Sequence, residues 1–221
     1  MIAPGLEASA AAILPMLDYA SVAIFALTGA LVASRSQLDV VGFIFIACLT
    51  AVGGGTLRDV ILGRPPVWIG DPALLAVAAG AAVLVFFGAH LLESRYRAIE
   101  WLDACALAVA VPAGVGVAFA EGLGWPVVLV MGMVTGCMGG LMRDVVCNEV
   151  PLVLKQGELY VTCAFCGAGV AVLLGLAGAE GWQALMACAV VTFVLRAGSL
   201  GFGWRLPVYR ARPPKPGSPK R

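Results

Sequence analysis

Apolar residues fill this chain in long blocks, near residues 16–34, 40–62, 72–92, 101–119, 127–148, 158–178 and 182–202. Polar and helix-breaking residues separate the blocks, at Arg35–Asp39, Gly63–Asp71, Glu93–Glu100, Glu121–Pro126, Glu149–Gly157 and Gly178–Gly181. About 20 mainly apolar residues carry an α-helix across a hydrocarbon core of roughly 30 Å. The pattern therefore predicts seven transmembrane helices. The Pro- and Lys/Arg-rich tail that follows, 203–221, has too little apolar area to bury and is expected to be disordered.

A second pattern overlies the first, because residues 17–66 align without gaps on residues 102–151 at a constant offset of 85. Matches such as Asp18/Asp103, Gly29/Gly114 and Thr50/Thr135 lead to a string, Gly-Gly-x-x-Arg-Asp-Val, that occurs twice in register. Compositional bias toward Ala, Val and Leu does not produce such a string, so the duplication is taken as real. A unit of three helices crosses an odd number of times, and its second copy must enter from the opposite side. The expected fold is an all-α membrane protein: two inverted three-helix repeats plus a seventh helix. The units would be 1–92 with the N-terminal segment, 93–178, 179–202 and the tail 203–221.

Composition agrees and narrows the class. The chain is 61% hydrophobic and 12% charged, against roughly 25% charged in soluble domains. A formal net charge of +1 gives no electrostatic reason to bind nucleic acid. The seven cysteines all fall in apolar runs, and Cys163-x-x-Cys166 reads as small-residue packing. Met1–Leu14 has no Lys or Arg, so the first helix is expected to be retained. With the N-terminus outside, the inner segments carry Arg35, Arg95, Arg97, Lys155 and the basic tail, whereas the outer segments carry only Arg64. That bias predicts a multi-pass protein, N-terminus out and C-terminus cytoplasmic.

Ionisable groups inside spanning segments are costly and mark pathways or binding sites. Here they come in repeat-related pairs: Arg58 and Asp59, Arg143 and Asp144, and Asp18 and Asp103. Residues four apart share a helix face, so Gly132, Gly136, Gly140 and Asp144 form one stripe and Ala47, Ala51, Gly55 and Asp59 its counterpart. Each stripe is a groove of small residues leading to a carboxylate. Glycine also weakens a helix by roughly 1 kcal/mol relative to alanine, so Gly53, Gly54, Gly55, Gly136, Gly139 and Gly140 mark expected kinks or breaks, with carbonyls free to replace part of a cation's hydration shell. Simpler readings stand beside these. Small-residue stripes commonly just pack helices, the doublets can be ion pairs near the membrane edge, and Asp18 and Asp103 can be helix N-caps. The lone His90 and the five tryptophans sit near helix ends, as interfacial residues do. No nucleophile–base pair, metal cluster or phosphate loop occurs, so neither an enzyme nor a cofactor is expected.

The strings Gly53-Gly54-Gly55-Thr56-Leu57-Arg58-Asp59-Val60 and Gly139-Gly140-Leu141-Met142-Arg143-Asp144-Val145, in a chain of this size, resemble the prokaryotic branch of the trimeric intracellular cation (TRIC) channel family, whose bacterial members are also described as glycine transporters. The resemblance covers about residues 16–202. It implies a homotrimer in the lipid of the bacterial plasma membrane, with a pore in each subunit lined by kinked helices 2 and 5, passing K+ and, less well, Na+. It marks Gly53, Gly54, Gly55, Arg58, Asp59, Gly139, Gly140, Arg143 and Asp144. Met138 stands where the first motif has Gly53, so the halves need not bend equally. The leading expectation is a monovalent cation channel. A secondary transporter of a small zwitterion such as glycine fits inverted repeats equally well, and a purely structural assembly protein is the third reading.

Overall fold

The computed structural model describes residues 4–91 and 95–208. Seven long helices account for most of them: α1 (Pro4–Arg35), α2 (Val40–Ile61), α3 (Ala73–Gly88), α4 (Arg95–Ala120), α5 (Trp125–Val146), α6 (Val161–Leu176) and α7 (Gly181–Phe202). Six reach membrane-crossing length and hydropathy, α3 doing so with the 3-10 turn Ala89–Leu91. The sixth block, expected over 158–178, is shorter at 16 residues. Tyr160 is non-helical before it, and Gly178 adopts a left-handed φ of 84° just after it. At 1.5 Å per residue it spans about 24 Å.

Helix ends repeat as faithfully as the sequence. After α1 and α4, Gln37 and Gly122 take left-handed φ values of 53° and 64°, and Leu38 N–H and Leu123 N–H reach back to the Ala33 and Ala118 carbonyls. After α2 and α5 the same turn places Gly63 and Asn148 at positive φ, with Arg64 N–H on Asp59 O and Glu149 N–H on Asp144 O. These hydrogen bonds satisfy carbonyls that a helix end leaves orphaned. Each turn then delivers a proline, Pro66 or Pro151, which starts the one-turn helix Val67–Gly70 or the 3-10 turn Leu152–Leu154.

The two repeats embrace. α1 packs along α4 and α2 along α5, while α7 lies against α4, α6 and α1. Arg64, beyond α2, pairs with Glu121 beyond α4 at 2.8 Å; Arg35, ending α1, pairs with Glu149 beyond α5 at 3.0 Å. These pairs put the ends of α2 and α4 on one face and the ends of α1 and α5 on the other, as inverted repeats require. Both pairs are partly exposed, so exchanging Arg64 and Glu121 for each other should change thermal stability by less than about 1 kcal/mol, measurable as a melting shift in detergent.

Of the tail expected to be disordered, 203–221, residues 209–221 lie outside the described residues. Its first part is ordered: Gly203 caps α7 at φ 69°, Leu206 N–H bonds to Gly157 O at 3.0 Å, and the backbone of Arg205 pairs with that of Glu158 in an isolated antiparallel β-bridge.

Candidate functional site

At the heart of the bundle α2 and α5 cross with their backbones in contact. A Cβ on Gly54 would overlap the Thr135 carbonyl oxygen, and one on Gly139 would overlap the carbonyl oxygen of Thr50. The two contacts exchange under the offset of 85, so a pseudo-two-fold axis passes between them. Thr50 and Thr135 turn their hydroxyls back onto the Ile46 and Met131 carbonyls, at 2.6 and 2.7 Å. Gly29 and Gly114 bring α1 and α4 equally close to those threonines.

This packing corrects the expected break. Both helices run through their glycine strings as continuous α-helix, so carbonyls freed by a break are not formed. The propensity cost of glycine is offset by close helix contact that no larger residue permits. The small-residue stripe of α5 is also filled, since Gly136 packs on Val111 and Leu107, and Gly132 on Val115 and Ala168.

Next to the crossing, each Arg-Asp doublet folds into the same charged motif. Arg58 Nε donates to Asp59 Oδ1 at 2.9 Å, and Asp59 Oδ2 accepts from Val67 N–H at 3.0 Å. In the second repeat Arg143 Nε donates to Asp144 Oδ1 at 2.7 Å, and Asp144 Oδ2 accepts from Leu152 N–H at 2.9 Å. The carboxylate thus ties its helix to the proline turn eight residues on. Asp18 of α1 comes within 3.6 Å of Arg58, and Asp103 of α4 within 3.2 Å of Arg143. The N-cap reading of both aspartates fails: α1 and α4 begin well before them. The guanidinium groups stand beside Gly55 and Gly140, one residue beyond the glycines four before each arginine.

The copies differ in their surroundings. Asp18 borders a cavity of about 320 Å³ on the Arg64 face, lined also by Tyr19, Arg58, Arg64, Val67 and Asp71. A second, smaller pocket of about 20 Å³, which Asp18 and Val67 also border, lies beside Thr50, Gly54, Gly55 and Thr135, room for roughly one water. On the Arg35 face Asp103 and Arg143 are both fully buried. Thr28 of α1 accepts from Arg143 Nη1 at 2.9 Å, and the Tyr160 hydroxyl and Asp103 Oδ1 both face Gly140, 3.3 and 3.4 Å from where its Cβ would stand. The repeat mate of Thr28 is Ala113, and Tyr160, the residue before α6, answers to Pro72, the residue before α3.

A further charged group escaped the sequence reading. Arg196 of α7 is fully buried, and Arg58, Arg143 and Arg196 are the largest such side chains. Its Nη1 donates to Glu158 at 3.1 Å and to the Leu159 carbonyl at 3.2 Å, and its guanidinium lies 5.0 Å from the Tyr160 ring centroid. Lys155 bridges to Glu100 at 3.0 Å and approaches Glu158 at 3.8 Å; burial pulls its ammonium below the ordinary pKa, opposed by the Glu158 charge. A lone arginine inside an apolar block was the available signal for Arg196. Cys163 of the Cys-x-x-Cys spacing donates to Leu159 O at 3.1 Å. Among the described residues no group of three or more His, Cys, Asp or Glu is placed to hold a metal.

Known proteins share this architecture. A family model described as "Glycine transporter" matches residues 15–90 and again 100–175, the same offset of 85. The inner membrane protein YadS of Escherichia coli strain K12 is 35% identical over 206 residues, 87% of this chain and 94% of that one. A membrane protein of Deinococcus radiodurans is 37% identical over 196 residues, covering 88% and 91%. Among solved structures, the TRIC trimeric intracellular cation channel orthologue from Rhodobacter sphaeroides superposes with a TM-score of 0.83 at 41% identity, over 86% of this chain and 98% of that one. A structure described for conductance through TRIC cation channels gives 0.80 at 25% identity, over 90% and 98%.

Proposed function

This chain belongs to the prokaryotic TRIC family, the one its matching family model calls glycine transporters, and from that membership we propose that it is a cation channel passing K+ and, less well, Na+. It works as a homotrimer in the bacterial plasma membrane, one pathway per subunit, N-terminus outside and C-terminus in the cytoplasm. The units are 1–92, 93–178 and 179–202. The observation that carries the reading is the cavity at Asp18 and Arg58, with a second, smaller pocket that Asp18 also borders beside the α2–α5 crossing. Its walls carry Asp18 and Asp71 beside Arg58 and Arg64, a nearly balanced set that attracts cations without binding them tightly. Asp59, Asp103 and Asp144 continue the acidic groups along α2, α4 and α5, with Arg58 and Arg143 fixing their geometry. Opening needs the continuous helices to bend at Gly53, Gly54, Gly55, Gly136, Gly139 and Gly140, the positions where least side chain resists bending.

The test is current through planar bilayers under asymmetric potassium chloride, beside a variant with Asp59→Asn and Asp144→Asn. Discrete cation-selective steps are expected, shrinking in the variant while its melting temperature in detergent shows it folded. A second reading, carriage of a small zwitterion such as glycine, draws on the same cavity, where arginines suit a carboxylate and aspartates an ammonium. Silent bilayers from protein that takes up labelled glycine into vesicles would sink the channel and promote the carrier.

A further inference from the structure

We propose that Tyr160, clamped by Arg196, is the gate that closes the pathway at the Arg35 face, so that α7, the helix outside the repeats, controls opening; this rests on the channel reading above. The two halves make the case by their difference. Around Arg58 the bundle leaves a cavity, whereas the corresponding space around Arg143 is occupied. Tyr160 is 2% exposed, and its hydroxyl stands with Asp103 Oδ1 and Arg143 Nη2 against Gly140, where a Cβ would come within 3.3, 3.4 and 3.6 Å of the three atoms. Its counterpart before α3, Pro72, is exposed and offers no hydroxyl.

Arg196 holds Tyr160 by everything around it. It grips the side chain of Glu158 and the carbonyl of Leu159, the two residues just before Tyr160, and covers the tyrosine ring. No residue of the first repeat plays this part, because α7 follows the second repeat and has no copy. The closed arrangement also carries a cost. Among the described residues six buried side-chain polar atoms lack a hydrogen-bond partner, and four of them, Asp103 Oδ2, Arg143 Nη2, Arg196 Nε and Arg196 Nη2, belong to the three side chains around Tyr160. Such atoms are expensive to leave dry. Swinging Tyr160 away would admit water to all four, so hydration favours the open state while packing and the Arg196 contacts favour the closed one. Two arrangements balanced in this way make a gate.

The experiment compares wild type with Arg196→Gln, Tyr160→Leu, which removes the ring and its hydroxyl, and the conservative Tyr160→Phe. Single-channel open probability should rise roughly 5-fold or more in the first two variants, the scale of an ordinary coupling energy, and by less in Tyr160→Phe, with unitary conductance unchanged. A second readout does not depend on current: Cys137, buried on α5 between Gly136 and the Arg143 motif, should react faster with a small charged thiol reagent in the same variants, located by peptide mass spectrometry. Faster labelling with silent bilayers would keep the gate and reject the channel. Normal currents with unchanged open probability and labelling would reject the gate and keep the channel. Variants that lose trimer and melt early, with Tyr160→Phe indistinguishable from wild type in both readouts, would reduce Tyr160 and Arg196 to packing and overturn the proposal.

Discussion

Arg143→Met should cost about 3–5 kcal/mol of stability, the loss typical of removing one partner from a buried ionic group. Arg143 is fully buried and holds Asp144, Asp103 and Thr28; without it two carboxylates are left inside the bundle with no cation. The check is thermal unfolding in detergent. Adding Asp103→Asn to Arg143→Met should recover part of the loss, because one orphaned charge is then neutral, and the double-mutant cycle should show coupling well above the few tenths of a kcal/mol expected of independent sites. Arg58→Met should cost less. Its partner Asp18 borders the wide cavity, where water can solvate the carboxylate that loses its arginine.

Gly54→Ala and Gly139→Ala should each destabilise by about 1–3 kcal/mol, as overpacking does when the neighbour cannot yield. The obstacle is a backbone carbonyl in both, Thr135 O for Gly54 and Thr50 O for Gly139. The double variant should lose less than the sum, since both methyl groups push the same two helices apart and the first displacement relieves the second. Gly80→Ala and Gly169→Ala are the controls: nothing lies within 4 Å of a Cβ there, so helix propensity alone should stabilise by up to about 1 kcal/mol. Equal effects at all four positions would show that the glycine strings serve backbone flexibility rather than the crossing. Scanning calorimetry of the purified variants gives the comparison directly.

Much of the fold was legible because hydropathy and repetition are properties of the chain itself. A spanning helix needs about 20 apolar residues wherever it packs, so the seven blocks appear in the sequence, most ends displaced by only a few residues, though α1 and α4 begin twelve and six residues earlier, at Pro4 and Arg95. The repeat was readable as a string, and the odd helix count made its inversion a matter of arithmetic. Arg58, Asp59, Arg143, Asp144, Asp18 and Asp103 stood out because charge inside an apolar block is rare and costly, and the structure does gather them into two motifs.

What the sequence left undecided was which surfaces meet. Helix-breaking propensity in Gly53–Gly55 and Gly139–Gly140 pointed to interruption, and only the tertiary structure shows that Gly54 and Gly139 each meet a threonine carbonyl of the opposite repeat. A local preference worth roughly 1 kcal/mol gave way to contacts between segments 85 residues apart. The same holds for the asymmetry of the site. Nothing local to Thr28, Tyr160 or Arg196 shows that they converge on the second charged motif, while Ala113 stands at the repeat position that answers to Thr28. The chain by itself determined a duplicated membrane bundle with paired buried charges, because burial and repetition act on every residue where it stands. Only the packing of distant helices decided that one copy opens to a cavity and the other is sealed, because that depends on which side chains arrive from elsewhere to fill the space.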